Sequence, residues 1–264
     1  MKLSSKKWVI LCLVACLAVG ALLFIGGATV LANEPPNEIT IRGKQYSTSL
    51  TNLYLWPVRS GMSSPEWQLT DADIKPLKHM KNLTSLSLRN HKISDISVLS
   101  GLTSLTYLDL SGNQITDISA LGGLTNLTYL DLNYNEISDI SVLSGLTNLT
   151  SLSVDSSRIT DLSALSELKN LTSLSLDGNQ ISDISALGGL TNLTNLSFVN
   201  NQICDISALS GLTNLTYLRL WHNQIRDISA LSGLTNLGYL SLEDNQITDW
   251  SPVDHVEFVA GRPE

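Results

Sequence analysis

The amino-acid sequence predicts a solenoid, an α/β-type architecture that is mostly β and is built from one unit repeated along the chain. Eight leucines recur every 22 residues without interruption: Leu83, Leu105, Leu127, Leu149, Leu171, Leu193, Leu215 and Leu237. A constant period of this kind indicates stacked copies of one supersecondary unit. No proline occurs between Leu77 and Ser251, as expected of a sheet interior, where a residue without an N–H group breaks the hydrogen-bond ladder. Apolar residues make up 43% of the 264 residues, which is enough for a packed core.

The start of the chain predicts an export signal. Residues 1–32 contain three lysines and no acidic residue, and the uncharged, mostly apolar stretch of residues 8–32 ends in the small residue Ala32. A signal peptide cleaved after Ala32 has this pattern. The apolar stretch is also long enough to cross ~30 Å of hydrocarbon, so an uncleaved N-terminal membrane anchor is an open alternative, and lipidation of Cys16 is a third. Each alternative places residues 33–264 outside the cytoplasm, either secreted or at the cell surface.

One copy of the repeat, residues 105–126, reads LTYLDLSGNQITDISALGGLTN. The step from Leu108 to Leu110 has a period of two, which predicts a short strand with both leucines on one face. The phrase Asp-Ile-Ser-x-Leu that follows has no such period. It predicts a tight 3₁₀ turn that returns the chain, with Asp117 as its cap.

The pattern LxxLxLxxNxI in each copy resembles the leucine-rich repeat, and the 22-residue length with Asp-Ile-Ser-x-Leu on the return side is most similar to the bacterial internalin-type repeat. The resemblance covers eight copies, residues 83–250. It implies a right-handed superhelix with a parallel sheet on the concave face and 3₁₀ turns on the convex face. Physical chemistry leads to the same expectation, because a single copy cannot bury its apolar side chains and only stacked copies share a core. At ~4.8 Å between strands, eight copies predict a sheet about 35–40 Å long.

The two ends of such an array must be covered, since an open end exposes core leucines to water. Residues 33–49 are interpreted as a linker, in which residues 39–46 are expected to supply an edge strand. Residues 50–82 are interpreted as an N-terminal cap with a degenerate repeat, and residues 251–264 as a C-terminal cap. Four apolar residues of the C-terminal cap are expected to seal the last turn: Val253, Val256, Phe258 and Val259.

The asparagine of the pattern is present in six of the eight copies, at Asn113, Asn135, Asn179, Asn201, Asn223 and Asn245. The resemblance implies that this side chain points inward and hydrogen-bonds the turning backbone, which needs a partner once it is buried. His91 occupies the position in the first copy and Ser157 in the fourth. We expect the array to be locally weaker at Ser157, by about 1 kcal/mol for a lost hydrogen bond.

An aspartate also recurs once per copy, at Asp95, Asp117, Asp139, Asp161, Asp183, Asp205, Asp227 and Asp249. Each is interpreted as the cap of its own turn. Calcium binding is the alternative, since Ca²⁺ needs several oxygen ligands around the ion. No sequence of the DxDxDG type supports calcium. We therefore expect no metal and no other cofactor.

Composition and motifs argue against several functional classes. The formal net charge is −8, with 24 acidic and 16 basic residues, which disfavours nucleic-acid binding because phosphate contacts need clustered Lys and Arg. The sequence holds no HExxH, GxSxG, Walker or GxGxxG motif, so an enzyme is not expected. Cys204 is the one cysteine beyond residues 1–32, which excludes an internal disulfide there.

The exposed strand positions differ from copy to copy, and they gather aromatic residues in two clusters. These clusters predict partner-binding sites, because exposed Tyr and Trp on a rigid sheet are typical of interface hot spots. The alternative is that the tyrosines only pack against one another across the strands. The first cluster contains Tyr107, Tyr129 and Tyr134, and the second contains Tyr217, Arg219, Trp221, His222 and Tyr239.

The sequence therefore predicts an exported, non-catalytic protein-binding module, an adhesion or envelope scaffold that uses its concave face and is a monomer. The acidic residues beside the aromatic clusters favour a basic protein partner. Glycan or cell-wall binding is the alternative, since Tyr and Trp rings stack on sugars while nearby Asp and Asn side chains bond the hydroxyls. Contact with a membrane is expected only through residues 8–32, if they are not cleaved.

Overall fold

The chain divides into two compact units, residues 1–38 and residues 39–264. The computed structural model describes residues 23–25, 28–30, 35–56 and 68–263. In the first unit, strands β1 (Leu23–Ile25) and β2 (Ala28–Val30) pair antiparallel. The predicted signal peptide or membrane anchor otherwise lies outside the described residues. Among the residues with a described structure, no helix combines the length and the apolar character that a membrane crossing requires.

A β-hairpin of strands β3 (Glu38–Ile41) and β4 (Lys44–Ser47) opens the second unit. Its two-residue turn has positive φ at both positions, 46° at Arg42 and 77° at the following glycine, as the type I′ turn of a tight hairpin requires. Ile39 and Ile41 alternate with exposed residues and are buried in the core. The expectation that this segment adds an edge strand to the main sheet is wrong, because in the described part of the chain its two strands pair with each other alone.

The predicted repeats form one long parallel sheet. Within the described residues, ten three-residue strands pair in the order of the sequence and in register, so that Leu86 lies opposite Leu108, which lies opposite Leu130. The register follows from the constant period, since a slip of one residue would turn every leucine away from the core. The strands are β5 (Asn52–Tyr54), β6 (Ser85–Ser87), β7 (Tyr107–Asp109), β8 (Tyr129–Asp131), β9 (Ser151–Ser153), β10 (Ser173–Ser175), β11 (Asn195–Ser197), β12 (Tyr217–Arg219), β13 (Tyr239–Ser241) and β14 (Phe258–Ala260).

The chain returns through a short helix, α1 (Asp71–Ile74), and then through 3₁₀ turns. In the first regular copy the Ser97 N–H donates to the Asp95 carboxylate at 2.8 Å, and an equivalent bond recurs in every later copy. Hydrogen bonds from the Ser97 N–H and hydroxyl lower the pKa of Asp95. The predicted capping is confirmed as a bond to the first N–H of each turn, with the aspartate one residue before the N-cap position, which Ile96 occupies in the first regular copy. The 3₁₀ turns are Lys75–His79, Ser97–Leu99, Ser119–Leu121, Ser141–Gly145, Ser163–Leu165, Ser185–Leu187, Ser207–Gly211, Ser229–Leu231 and Ser251–Val253.

One apolar core runs between the sheet and the turns. Nearly all leucines and isoleucines of the repeat are buried, as Leu108, Leu110 and Ile115 are in the second copy, while Ile247 in the last copy is only partly buried. Phe198 replaces a strand leucine and is the largest fully buried side chain of the described residues. Because each copy contributes to the same continuous core, its neighbours supply the cover that it cannot supply itself.

The inward asparagine satisfies the backbone where it turns away from the sheet. The Nδ2 group of Asn113 donates to the carbonyls of Leu88 (2.8 Å) and Leu110 (2.9 Å), and its Oδ1 accepts the Ile93 N–H (3.2 Å). The same side chain in the other copies forms equivalent bonds. The role that the resemblance implied for asparagine is therefore confirmed.

Ser157 is too short to form these bonds. Its hydroxyl lies 3.5 Å from the carbonyl of Asn135, and within the described residues nothing replaces the asparagine acceptor at the Ile137 N–H. The buried turn of this copy is therefore held by fewer hydrogen bonds than its neighbours are, as the sequence predicts.

In the first copy, His91 takes the place of the asparagine. It bonds two backbone groups, at Leu55 and Leu69, that are further apart in sequence than those bonded by the asparagines. Its buried imidazole accepts the Leu69 N–H at Nδ1 (3.1 Å) and donates from Nε2 to the Leu55 carbonyl (2.8 Å). Residues 56–68 separate these partners in sequence, whereas residues 89–92 separate the equivalent pair in the next copy. Burial lowers the pKa of His91, so the neutral ring with a proton on Nε2 is the bonded form.

We expect Ser157→Asn to stabilise the protein. The added amide can accept the Ile137 N–H and donate to the turning carbonyls, which should raise the free energy of unfolding by about 1 kcal/mol. Urea unfolding measures the change. Thr160→Asn, on the exposed return side of the same copy, is the matched control and should leave the midpoint unchanged. Equal midpoints for the wild type and Ser157→Asn would contradict this account of the inner asparagine.

We also expect acid to weaken the N-terminal cap through His91. Its pKa is lowered in the folded state from the ordinary 6.5, so the unfolded chain binds the proton more readily, and stability falls as the pH drops below 6.5. His91→Gln keeps a donor and an acceptor but does not titrate. Unfolding free energies measured from pH 7.5 to 5 should therefore fall more steeply in the wild type than in the variant, and parallel curves would refute the assignment.

Candidate functional site

The candidate site is the exposed face of the long sheet, which we call the sheet face. It consists of the first and third residues of each strand, which flank the buried leucine, and of the residue two positions after the third. In β7, Leu108 points into the core while Tyr107 and Asp109 lie on the opposite side, as alternation along a strand requires. Because the strands are in register, equivalent side chains of neighbouring copies lie side by side.

Two predicted residues of the first cluster form what we call the N-terminal stack. The rings of Tyr107 and Tyr129 lie with their centroids 4.4 Å apart and their planes 7° from parallel. Burial raises the pKa of Tyr129 to about 12, with a further contribution from the charge of Asp131, and it also raises the pKa of Tyr107. Tyr134 does not join the stack; it has a positive φ of 54° and is 66% exposed. The structure thus brings together two of the three predicted tyrosines.

The second cluster contains a longer stack, the C-terminal stack. Tyr217 and Tyr239 stack with centroids 4.6 Å apart, and Phe258 continues the stack 5.2 Å beyond Tyr239. The expectation that Phe258 seals the last turn is wrong: β14 extends the sheet, and alternation along the strand places Phe258 on the sheet face, where it is 54% exposed. Val253 and Val256 are buried in the core, as predicted.

Trp221 and His222 lie beside the C-terminal stack, where the chain leaves β12. The Trp221 indole donates from Nε1 to the Asp244 carboxylate at 3.0 Å, and His222 Nδ1 lies 3.7 Å from the same carboxylate. Trp221 still exposes 41% of its surface. The hydrogen bond to Asp244 therefore orients the Trp221 indole and leaves it accessible, while His222 lies nearby without a hydrogen bond to this carboxylate.

Arg219, the remaining predicted site residue, forms an ion pair within the sheet face. Its guanidinium reaches back across β11 to within 3.6 Å of the Asp177 carboxylate. The Ser197 hydroxyl and the Val199 N–H also donate to Asp177. This carboxylate is thus compensated by the protein's own groups.

Two aromatic residues that sequence analysis assigned to the N-terminal cap belong to the sheet face. Tyr54 and Trp56 are exposed; the Tyr54 hydroxyl bonds the Ser85 hydroxyl (2.8 Å), and the Trp56 indole donates to the Ser87 hydroxyl (3.3 Å). The sequence contains the pattern that could have identified Tyr54. Residues 50–55 match the strand part of the repeat, and Tyr54 falls at one of its exposed positions.

Acidic residues line the sheet face beside the N-terminal stack. Burial raises the pKa of Asp131 to about 6, and the charges of Asp109 and Asp155 add to the rise. Burial likewise raises the pKa of Asp155, although the Ser175 hydroxyl donates to it at 2.7 Å. Partly desolvated carboxylates at adjacent strands are costly to ionise, and such perturbed groups are typical of functional surfaces.

The return side offers shallow clefts between successive turns, lined by the capping aspartates and neighbouring serines. They recur with the period of the repeat, so they follow from the fold. Cys204 is exposed and free in one of them. In the parts of the chain with described structure, no group of three or more His, Cys, Asp or Glu side chains is arranged to hold a metal ion.

The repeats match a known protein family. The family described as Leucine Rich repeats (2 copies) matches residues 81–123, 103–144, 125–167, 169–211 and 213–255, which together span more than half of the chain. A comparison with curated protein sequences found no match.

Solved structures show the same fold. Internalin C2 from Listeria monocytogenes is 40% identical, with a TM-score of 0.66 over 69% of this chain and 82% of that chain. The Listeria monocytogenes internalin inlF is 33% identical, with a TM-score of 0.65 over 83% of this chain and 70% of that one.

A more distant match is the leucine-rich repeat ectodomain of the Arabidopsis thaliana receptor kinase GASSHO1/SCHENGEN3, solved in complex with CASPARIAN STRIP INTEGRITY FACTOR 2. It is 26% identical, with a TM-score of 0.64 over 70% of this chain and 25% of that chain. The chain therefore belongs to the leucine-rich repeat family, and its repeats are of the internalin type.

Proposed function

We propose that the protein is an exported, non-catalytic binding module that holds a protein partner on its sheet face, in an adhesion or envelope-scaffold role. The observation that carries the proposal is the placement of aromatic rings: the stacks, including Phe258, and Trp221 lie partly exposed on the sheet face, whereas the core, with Phe198 as an exception, is filled mainly by aliphatic residues. Large rings held in place at a surface are the side chains that dominate binding energy at protein interfaces.

The rigidity of the sheet face supports the same conclusion. The stacked rings pack against one another, Asp244 holds the Trp221 indole, and among the described residues no buried side-chain nitrogen or oxygen lacks a hydrogen-bond partner. A surface that is ordered before binding loses little conformational entropy on binding. The solved complex of the plant receptor ectodomain, a member of the same family, also supports a protein partner.

Glycan or cell-wall binding is the second candidate. The exposed indole of Trp221 beside the Asp244 carboxylate is the feature that favours it, since a ring next to a hydrogen-bond acceptor suits a sugar. The stacked tyrosines favour it less, because neighbouring rings cover faces that a sugar would need. Protein binding therefore accounts for more of the sheet face.

The double variant Tyr217→Ala with Trp221→Ala tests the proposal. In a crosslinking pulldown from envelope extract with the full-length protein as bait, we expect capture of the wild-type partner to fall about tenfold or more, as truncation of hot-spot residues does. Thr160→Ala on the return side is the control and should capture normally. Unchanged capture by the double variant would exclude the sheet face as the protein site. Saturable binding on a glycan array that the double variant loses would instead favour the glycan candidate.

Salt dependence provides a second prediction. The carboxylates of Asp109, Asp131 and Asp155 make the sheet face beside the N-terminal stack anionic, so it should attract a basic partner electrostatically. We expect the association rate constant of the captured partner to fall by about tenfold between 10 mM and 300 mM salt, with little change in the dissociation rate. Surface plasmon resonance measures both constants. An association rate that is indifferent to salt would argue against a basic partner.

A further inference from the structure

The sheet face carries small side chains in its middle and large aromatic side chains on either side. Strands β9, β10 and β11 carry small polar residues at their first position, Ser151, Ser173 and Asn195, and serines at their third. We call the surface of these three strands the serine floor. The N-terminal stack ends at Tyr129 on one side of it, and the C-terminal stack begins at Tyr217 on the other. The strands of these two tyrosines are four steps apart, about 19 Å at ~4.8 Å per step.

Each stack directs one open ring face towards the serine floor. The rings of Tyr107 and Tyr129 are nearly parallel and 4.4 Å apart, close to the spacing of the strands, so their planes stand across the sheet. Tyr107 therefore covers one face of Tyr129, and the other face is directed at Ser151, whose side chain is too small to cover it. By the same geometry, the C-terminal stack directs a face of Tyr217 at Asn195.

Two carboxylates beside the floor form no ion pair. Asp131 lies in the neighbouring strand β8 and Asp155 follows β9, and among the described residues neither is within ion-pair distance of a cation. Positive charge acts on them from further away, from Arg89 on Asp131 and from Arg219 on Asp155. The next acid, Asp177, pairs with Arg219. A partner's cation can therefore approach Asp131 and Asp155 more closely than the protein's own arginines do.

Building on the proposed function, we propose that the protein partner places a basic α-helix on the serine floor, with an arginine or lysine between the open face of Tyr129 and the carboxylates of Asp131 and Asp155. An aromatic face attracts a cation through its quadrupole, and adjacent carboxylates add Coulomb attraction. A helix with its side chains is about 10–12 Å across, so it fits in the gap of about 19 Å between the two stacks, and its longer side chains can reach the rings on either side.

A set of probe peptides tests this inference on the full-length protein. The probe is an alanine-based helix with arginine at every fourth position. One control replaces each arginine with citrulline, which keeps the planar shape and most of the N–H donors but carries no charge, and another breaks the helix with a central proline. We expect the arginine helix to shift the amide resonances of β9, β10 and β11 and to bind about tenfold more tightly than either control.

Variants locate the binding. Tyr129→Leu keeps an apolar side chain but removes the ring, and should weaken the arginine helix about threefold to tenfold. Ser173→Trp fills the floor and should abolish binding, whereas Thr160→Trp adds the same ring on the return side and should leave binding unchanged. Circular dichroism and the thermal midpoint verify that each variant folds.

Three results would overturn the inference: equal affinity for the arginine and citrulline helices, amide shifts confined to the return side, or normal binding by Ser173→Trp. The proposed function fails on a separate result, namely partner capture that survives Tyr217→Ala with Trp221→Ala. If the probe helix does not bind but capture depends on those two residues, the sheet face is the interface and the basic helix is not its ligand.

Discussion

Each repeat must turn its backbone away from the sheet at a buried point, and the polar groups of that turn need partners inside the core. One side chain per copy supplies them, and it bonds the copy before it as well as its own. Asn201 donates to the Leu176 carbonyl at 2.9 Å and accepts the Ile181 N–H at 3.1 Å in the preceding copy, and it donates to the Val199 carbonyl at 3.3 Å in its own. The bond therefore sets the spacing between copies together with the shape of the turn. Similar bonds between copies recur at the start of seven strands, from β6 to β12, as from the Thr150 hydroxyl to the Thr128 carbonyl. The uniform period of the sequence reflects these constraints.

The inward side chains determine the fold of each copy, so the outward side chains can differ between copies. The strand register nevertheless decides which outward side chains become neighbours. Equivalent residues of adjacent copies lie one strand spacing apart, so two tyrosines in succession stack and two aspartates in succession repel. Stacking favours folding and repulsion opposes it, yet both occur on the sheet face. The raised pKa of Asp131, about 6, means that its ionised form detracts from stability at neutral pH. Retaining such a carboxylate at the sheet face makes sense for recognition rather than for folding.

The periodic part of the molecule could be predicted from sequence, and the non-periodic ends could not. The strands, the capping aspartates and the inward asparagines follow from residues that recur at one spacing, since each copy repeats the same local chemistry. At the ends the period stops, and the packing of particular residues decides the structure. Phe258 was assigned to the core because it is apolar, but its place in β14 puts it outside. Tyr134 shares its residue type with the stacked tyrosines, but its positive φ directs it away from them.

Asp131 and His91 respond to acid in opposite senses and at different places. The folded state binds a proton at Asp131 more tightly than the unfolded state does, so its contribution to stability increases as the pH falls through about 6. The folded state binds a proton at His91 less tightly than the unfolded state does, so the contribution of His91 to stability is lost as the pH falls below 6.5. Acid therefore loosens the contact that joins Leu55 and Leu69 in the N-terminal cap, while it neutralises a carboxylate beside the N-terminal stack. Since the two groups lie in different parts of the array, mild acid acts on the stability of the N-terminal cap through His91 and on the charge of the sheet face through Asp131.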